Sequence, residues 1–436
     1  MRRTRAVLAA AAASVLFVSG CGLSSGDDAG SGDAGSNDTI SGEVQGEITF
    51  ATLALKPTFD DYINGLIDDF EAEHPGTTVN WVDVPFQGAQ EKITNDAQAG
   101  TLPDVVNLNP NFAQRLEKQG IFWDMEANAD DVKSTFVPGA WDAFKVPGQD
   151  GSYALPWYLT SEVTMYNKDL YGKAGLAAPP KTIDELLTQT RQISAAGDGA
   201  YYGWHPALEN SFVPNLAKLG VPLLNEDATE WTFNTPEAVQ YVTELRDLYT
   251  SGAIAPDWLT QDHAKETEAY SAGRVAIFPS GPNFLKVVGE NAPAVAKATG
   301  VAPQIASADG TTNMSVMGLL VPRKSKNPAT ALEFAKFVTN AENQLAFSKI
   351  VTILPSTVDS LKDPYFTNTS DGDVTSLARK ISAEQIAKAE NLTPVQWDDR
   401  TKAAVIGKIQ LAMKGDLEPK AALDEAVAEA NKLLDR

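Results

Sequence analysis

The chain has one cysteine, Cys21, and three histidines in 436 residues. A single thiol excludes a disulfide framework and a thiolate metal site. His74, His205 and His263 lie far apart, and none has a partner at ligand spacing, so no histidine metal motif is present. No Gly-rich phosphate-cradling loop runs into Lys-Ser or Lys-Thr, and no motif asks for a cofactor. Basic residues are scarce: 35 Lys and Arg stand against 57 Asp and Glu, for a formal charge of −22. Phosphate recognition needs clustered Lys and Arg, so nucleic acid and anionic lipid surfaces are excluded as partners. Beyond the amino-terminal segment, no run is apolar for long enough to cross a bilayer. The paired acids Asp60-Asp61, Asp68-Asp69, Asp130-Asp131 and Asp398-Asp399 are adjacent in sequence. Neighbours do not face each other on a helix, so these pairs read as solvated faces rather than acid/base machinery.

What is present begins with a positive start, Arg2, Arg3 and Arg5, followed by residues 6–17 without a charge. That run is too short for an ordinary membrane span and reads as the core of an export signal. Val18-Ser19-Gly20-Cys21 then resembles the lipobox of bacterial lipoproteins. The resemblance implies cleavage before Cys21, a diacylglycerol on its thiol, and an extracytoplasmic protein held at the cell membrane through its lipid anchor only. Gly, Ser, Asp and Ala dominate residues 21–45, a composition that cannot bury enough apolar surface to fold and behaves as a flexible linker. Within it, Gly22-x-Ser24-x-Gly26 matches the nucleophile-elbow pattern of hydrolases. The pattern has meaning only at a strand-to-helix turn, which nothing around it supplies.

From Glu47 the texture alternates between strand and helix. Ile48-Thr49-Phe50-Ala51-Thr52 is β-rich. Phe59, Tyr62, Ile63, Leu66, Ile67 and Phe70 recur at the spacing of an amphipathic helix, which His74-Pro75-Gly76 stops. A strand over 79–84, a polar helix over 88–99 and a strand over 104–108 follow. This order is the signature of a parallel sheet covered by helices. Strands are expected again at 153–157, 163–166 and 274–278. Thr182-Ile183-Asp184-Glu185 is a capping box and Thr235-Pro236-Glu237 a helix start. The last third is mainly helical, with starts at Asn327-Pro328 and after Asp398 and Glu418. A length of 436 residues, 43% of them hydrophobic, suits two cores and an α/β fold of two domains.

Aromatic residues stand beside amides, hydroxyls and Pro at several predicted strand ends: Asn109-Pro110-Asn111, Trp157-Tyr158, Tyr201-Tyr202-Gly203-Trp204, Ser280-Gly281-Pro282-Asn283-Phe284 and Trp397-Asp398-Asp399-Arg400. Rigid aromatic faces suit the C–H surface of a sugar, and amides fix its hydroxyls. The ordered set Phe70-Glu71-Ala72-Glu73-His74-Pro75, Gly100-Thr101-Leu102-Pro103-Asp104-Val105, Tyr166-Asn167-Lys168-Asp169-Leu170-Tyr171, Pro180-Lys181-Thr182-Ile183-Asp184-Glu185-Leu186, Gly273-Arg274-Val275-Ala276-Ile277 and Asn327-Pro328 resembles the extracellular solute-binding proteins of ABC importers. The likeness is to the carbohydrate-binding family that includes the maltodextrin-binding protein. It implies a two-lobed periplasmic-binding-protein fold with three hinge crossings, near Trp157, Ser280 and Asn340. Residues 1–20 are then the signal peptide, 46–157 with 281–340 the first lobe, and 158–280 with 341–436 the second. The resemblance places ligand contacts at Lys56, Asn109, Asn111, Trp157, Tyr158, Trp204, Glu209, Asn210, Phe212, Gly281, Asn283, Trp397 and Arg400. Asn283 stands where many relatives have a stacking Trp, which favours a ligand smaller or more polar than a long maltodextrin.

The function so implied is capture of a mono- or short oligosaccharide between the lobes and its delivery, by a monomer, to the transmembrane subunits of an ABC permease. No bond is made or broken. A secreted lipoprotein glycoside hydrolase is the alternative from another class, and the same fold binding a polyol or glycerol phosphate ester is a third reading.

Overall fold

The computed structural model describes residues 39–434, apart from 86, 147–150 and 371. Cys21, the export signal and most of the linker lie outside the described residues. Among the described residues, eleven strands form two sheets. Strands β1 (Gly46–Leu53), β2 (Thr77–Val84), β3 (Val105–Leu108) and β4 (Leu155–Ser161) begin the first. Strands β5 (Val163–Asn167), β6 (Tyr202–Trp204), β7 (Val275–Ser280) and β8 (Thr299–Ala302) make the second. Strands β9 (Thr312–Leu320), β10 (Leu354–Pro355) and β11 (Ala389–Glu390) return to the first. The orders are β10-β4-β9-β3-β1-β2, with β11 beside β9, and β6-β7-β5-β8.

Local sequence explains the elements. β1 runs parallel to both β2 and β3. The intervening helix Asp60–Glu73 buries Ile63, Leu66, Ile67 and Phe70, the three- and four-residue stripe of the sequence. Gly88 and Gly100 bracket the helix Ala89–Ala99 with φ of 81° and 68°, the left-handed geometry a terminating glycine accepts without strain. At Thr182 the hydroxyl accepts from the Glu185 amide at 3.2 Å, while the Glu185 carboxylate reaches back to the Lys181 amide at 2.7 Å. The reciprocal pair fixes the start of Ile183–Gly197.

Each sheet has its own packing. Phe50, Phe70, Trp157, Phe334 and Phe347 fill one face of the first sheet, and Leu108, Phe122, Phe144 and Met314 belong to a separate cluster of the same lobe. The second lobe gathers Phe212, Trp231, Phe233, Tyr241, Trp258 and Phe278. Val405, Ile409 and Leu423, from the last two helices, join them.

Three boundaries differ from the sequence expectation. The chain leaves the first sheet at Glu162, between β4 and β5, five residues after Trp157. Residues 281–302 stay with the second lobe, because β8 pairs antiparallel with β5 and Leu285 and Val288 enter its core. The return crossing is therefore at 303–311, not at Ser280. Asn340 is no crossing, since Phe334, Val338 and Phe347 on either side of it pack on the first sheet and β10 pairs with β4. The chain passes back after β11, through 391–398, into the helix Asp399–Lys414. The end of the linker is also docked rather than free. Ile40 N donates to Asn128 Oδ1 at 2.5 Å, and Gln45 exchanges hydrogen bonds with the Thr330 hydroxyl at 2.9 and 2.7 Å. Ile40 and Val44, apolar in a polar run, pack against the first lobe.

Candidate functional site

The carboxyl end of β1 is held by one carboxylate. Asp83, on β2, accepts from the Thr52 hydroxyl at 2.6 Å and from the Leu55 and Lys56 amides at 3.0 Å each. Trp81 Nε1 donates to the same Thr52 hydroxyl at 2.8 Å, and Lys56 Nζ sits 4.2 Å over the Trp81 ring. Lys56 is thus exposed but positioned. At the carboxyl end of β3, Asn109 Oδ1 accepts from Phe112 N at 2.9 Å and caps the helix Pro110–Glu117. Asn109 is exposed and Asn111 half-buried on its first turn. From the same helix Gln114 Nε2 donates to the Lys145 and Ala143 carbonyls at 2.6 and 3.3 Å.

Between the lobes lies a cavity of about 710 Å³. Asp142 and Lys145 line it from the first lobe, Leu224 and Ala228 from the second, and Asn391 and Gln396 from the third crossing. Gln396 Nε2 donates to the Ala228 carbonyl at 3.0 Å, so the crossing is fastened to the second lobe. Lys145 Nζ pairs with Asp142 at 2.7 Å, which cancels charge at the rim. Among the described residues, no aromatic side chain lines this cavity. Its volume is in the range of small-molecule sites, and its polar side chains are the amides of Gln114, Asn391 and Gln396, the Thr393 hydroxyl, and two charges of each sign, Asp142 and Glu390 with Lys145 and Lys388.

None of the thirteen residues expected from sequence lines that cavity. Trp157 is fully buried between Phe50 and Phe347, with ring centroids 6.0 and 5.2 Å away, and offers no face to a solute. Tyr158 packs on the same cluster, and burial pushes its phenol up to about 12. Phe212 is fully buried beside Phe233 and Tyr241. Trp397 is 5% exposed and meets Trp231 edge-on at 6.0 Å, plugging the second-lobe core. Trp157, Phe212 and Trp397 are thus packed into the cores in this structure: an aromatic flanked by Pro and polar residues in sequence can point inward. Arg400 is exposed, 3.5 Å from Asp398. Burial pushes Asp398 up, but the Thr401 amide and hydroxyl and the charges of Arg400 and of Arg115 in the first lobe hold it below its ordinary value. Glu209 is exposed. Gly281 and Asn283 line a cleft of about 20 Å³ with Ser161 and Arg379.

Trp204 and Asn210 line a second-lobe pocket of about 50 Å³ together with Glu162, Lys218, His263 and Glu266. His263 Nδ1 lies 2.7 Å from Glu266 Oε2, and its Nε2 lies 3.0 Å from the Ser280 hydroxyl. Burial pushes the Glu266 carboxyl up to about 7, against the pull of His263. Burial pulls His263 down, but the hydrogen bond and charge of Glu266, with Glu162 and Asp262 behind it, hold the imidazole above its ordinary value. Burial also pulls the Lys218 ammonium down, opposed by Glu162. Both members of the His263–Glu266 pair therefore hold protons more tightly folded than unfolded. A raised folded pKa stabilises fully only below the unfolded value, 4.5 for Glu266, and that stability is lost as pH rises through the folded one, about 7. The unfolding midpoint is expected to fall as pH rises from about 5 to 8, and Glu266→Gln should flatten that slope. Denaturant titrations of both proteins across this window check it; equal slopes would contradict it.

The residues missed from sequence are Gln396, Asn391, Asp142 and Lys145. The sequence signal for Gln396 is its place one residue before a Trp in a polar, Pro-containing stretch.

Comparison with known proteins bears on the fold and the family. A solved structure from Synechococcus sp. MITs9220, assigned as an oligosaccharide periplasmic-binding protein, has a TM-score of 0.76 at 30% identity, covering 89% of this chain and 99% of that one. A protein assigned as the binding protein of an ABC transporter in Deinococcus radiodurans is 25% identical over 354 residues, 76% of this chain and 83% of its own. The sn-glycerol-3-phosphate-binding periplasmic protein of Pectobacterium atrosepticum is 25% identical over 410 residues, 86% of this chain and 88% of its own. The family profile for bacterial extracellular solute-binding proteins matches residues 56–345. With two lobes, three crossings and a cavity between them, the chain belongs to the bacterial extracellular solute-binding proteins.

Proposed function

We infer that the chain is the solute-binding component of an ABC importer and takes a mono- or short oligosaccharide between its lobes. The observation that carries this is the cavity of about 710 Å³ lined from both lobes and from the third crossing by the amides of Gln114, Asn391 and Gln396 and by balanced charges, Asp142 and Glu390 against Lys145 and Lys388. A neutral polyhydroxylated solute satisfies such groups without leaving a buried charge unpaired. Among the described residues the lining holds no aromatic side chain, which favours a ligand held by hydrogen bonds over one held by stacking. Contacts to both lobes stabilise the closed arrangement, so capture proceeds by lobe closure with no bond made or broken. On this reading the first lobe comprises 46–161 and 312–390 and the second 163–302 and 399–434, and the protein works as a monomer that hands its solute to permease subunits.

Calorimetric titration of the full chain against a panel of mono- and oligosaccharides, with sn-glycerol 3-phosphate alongside, tests the reading. Saturable binding of a neutral sugar supports it. Binding of the phosphate ester alone would transfer the site to the third class named above, in which Lys145 and Lys388 at the cavity would meet the phosphate. Turnover of a chromogenic glycoside would make the protein a hydrolase.

The tether is a separate physical system. Acylation of Cys21 holds the protein at the membrane, and Cys21→Ala is expected to release it into the soluble fraction with solute binding unchanged. Fractionation followed by titration checks this; a variant that stays membrane-bound would contradict the lipid anchor.

A further inference from the structure

The three crossings meet on a single chain of side-chain amides. Gln385 ends the helix Val374–Gln385, which bears on both lobes: Ala378 enters the second-lobe core, and Ile386, just beyond, enters the first. Gln385 Nε2 donates to the Glu162 carbonyl at 2.5 Å and to Ser161 Oγ at 2.8 Å, at the first crossing. Its Oε1 accepts from Gln304 N at 3.0 Å, at the second. Gln304 is 3% exposed; its Nε2 donates to the Asn313 carbonyl at 3.1 Å and its Oε1 accepts from the Asn313 amide at 2.5 Å. Asn313 Oδ1 in turn accepts from Leu392 N at 3.1 Å, at the third.

Every link in this chain joins an amide side chain to backbone, apart from the Ser161 hydroxyl, and the Gln304 links reach Asn313 at the start of β9. Rotation of one lobe against the other turns about these crossings, so the bonds that join 161–162, 304 and 392 lie where the bend occurs. An amide carries a donor and an acceptor and no charge, so it can trade partners between two arrangements without stranding an ion. We propose that Gln385, supported by Gln304 and Asn313, is a positioning residue that sets how far the lobes stand apart, without touching solute. The proposal rests on the closure reading above. Apparent affinity scales with the fraction of molecules in the competent arrangement, so a residue that sets this fraction tunes affinity from outside the site.

The test uses the full chain carrying Cys21→Ala, with spin labels at Glu91→Cys on the first lobe and Lys286→Cys on the second. Interlobe distances are measured for this protein, for Gln385→Ala, and for Gln385→Glu, which keeps the volume but replaces the donor with a carboxylate facing the Glu162 carbonyl. Both variants are expected to broaden or displace the ligand-free distance distribution. For any sugar the parent binds, affinity should change by about tenfold in the sense of the population shift. Unchanged distributions in the folded Gln385→Glu variant, or a fall in melting temperature alone, would overturn the proposal. If the parent binds no sugar the functional reading fails, yet the ligand-free distances still decide the hinge.

Discussion

Replacing Trp397 with Ala should lower the unfolding free energy by about 3–5 kcal/mol, the cost of deleting a buried core aromatic. The indole is 5% exposed and set edge-on to Trp231, itself fully buried in the second-lobe core. Its main-chain amide donates to the Pro394 carbonyl at 2.9 Å, and Asp398 behind it caps the next helix through the Thr401 amide at 2.9 Å. Truncation leaves a cavity between rigid elements that collapse poorly, so the cost falls on stability. Solute affinity, measured on the folded variant, should change by less than about tenfold. Denaturant unfolding with an unchanged m-value, followed by titration, separates the two quantities. A stability loss under about 1 kcal/mol with abolished binding would return Trp397 to the cleft.

The second large effect comes from the solute. At a hundredfold excess over its dissociation constant, a sugar bound only by the folded chain stabilises it by about 2.7 kcal/mol. Gln396→Ala removes an amide that lines the cavity and fastens the crossing to Ala228. It should weaken binding about five- to thirtyfold, as loss of one or two well-placed hydrogen bonds does. Its cost to stability should be small, because the residue is only half-buried. Thermal unfolding with and without sugar reads both: the melting shift should persist in the variant but need more sugar. An equal shift at equal concentration would place Gln396 outside the site.

The fold was legible because periodicity and caps are local. The stripe from Phe59 to Phe70 and the capping box at Thr182 each follow from spacing alone, and the structure has them where the spacing puts them. The crossings were less legible. Whether 281–302 follows β7 or leaves it depends on β8 pairing with β5, a contact between residues more than 130 positions apart that no local pattern encodes. The site was least legible of all. Sequence shows that Trp157, Phe212 and Trp397 are large and flanked by polar residues, but a side chain at a strand end points either into the core or into the cleft. A shift of one position, from Trp397 to Gln396, exchanges a core plug for a cavity wall.

Lobe closure over a solute is tested most directly by small-angle scattering of the full chain with and without the sugar that titration selects. The account expects a smaller radius of gyration in the sugar-bound protein, reversed on dialysis, because contacts from both lobes favour the closed arrangement. Identical scattering curves at saturating sugar would mean a rigid pocket and would contradict closure.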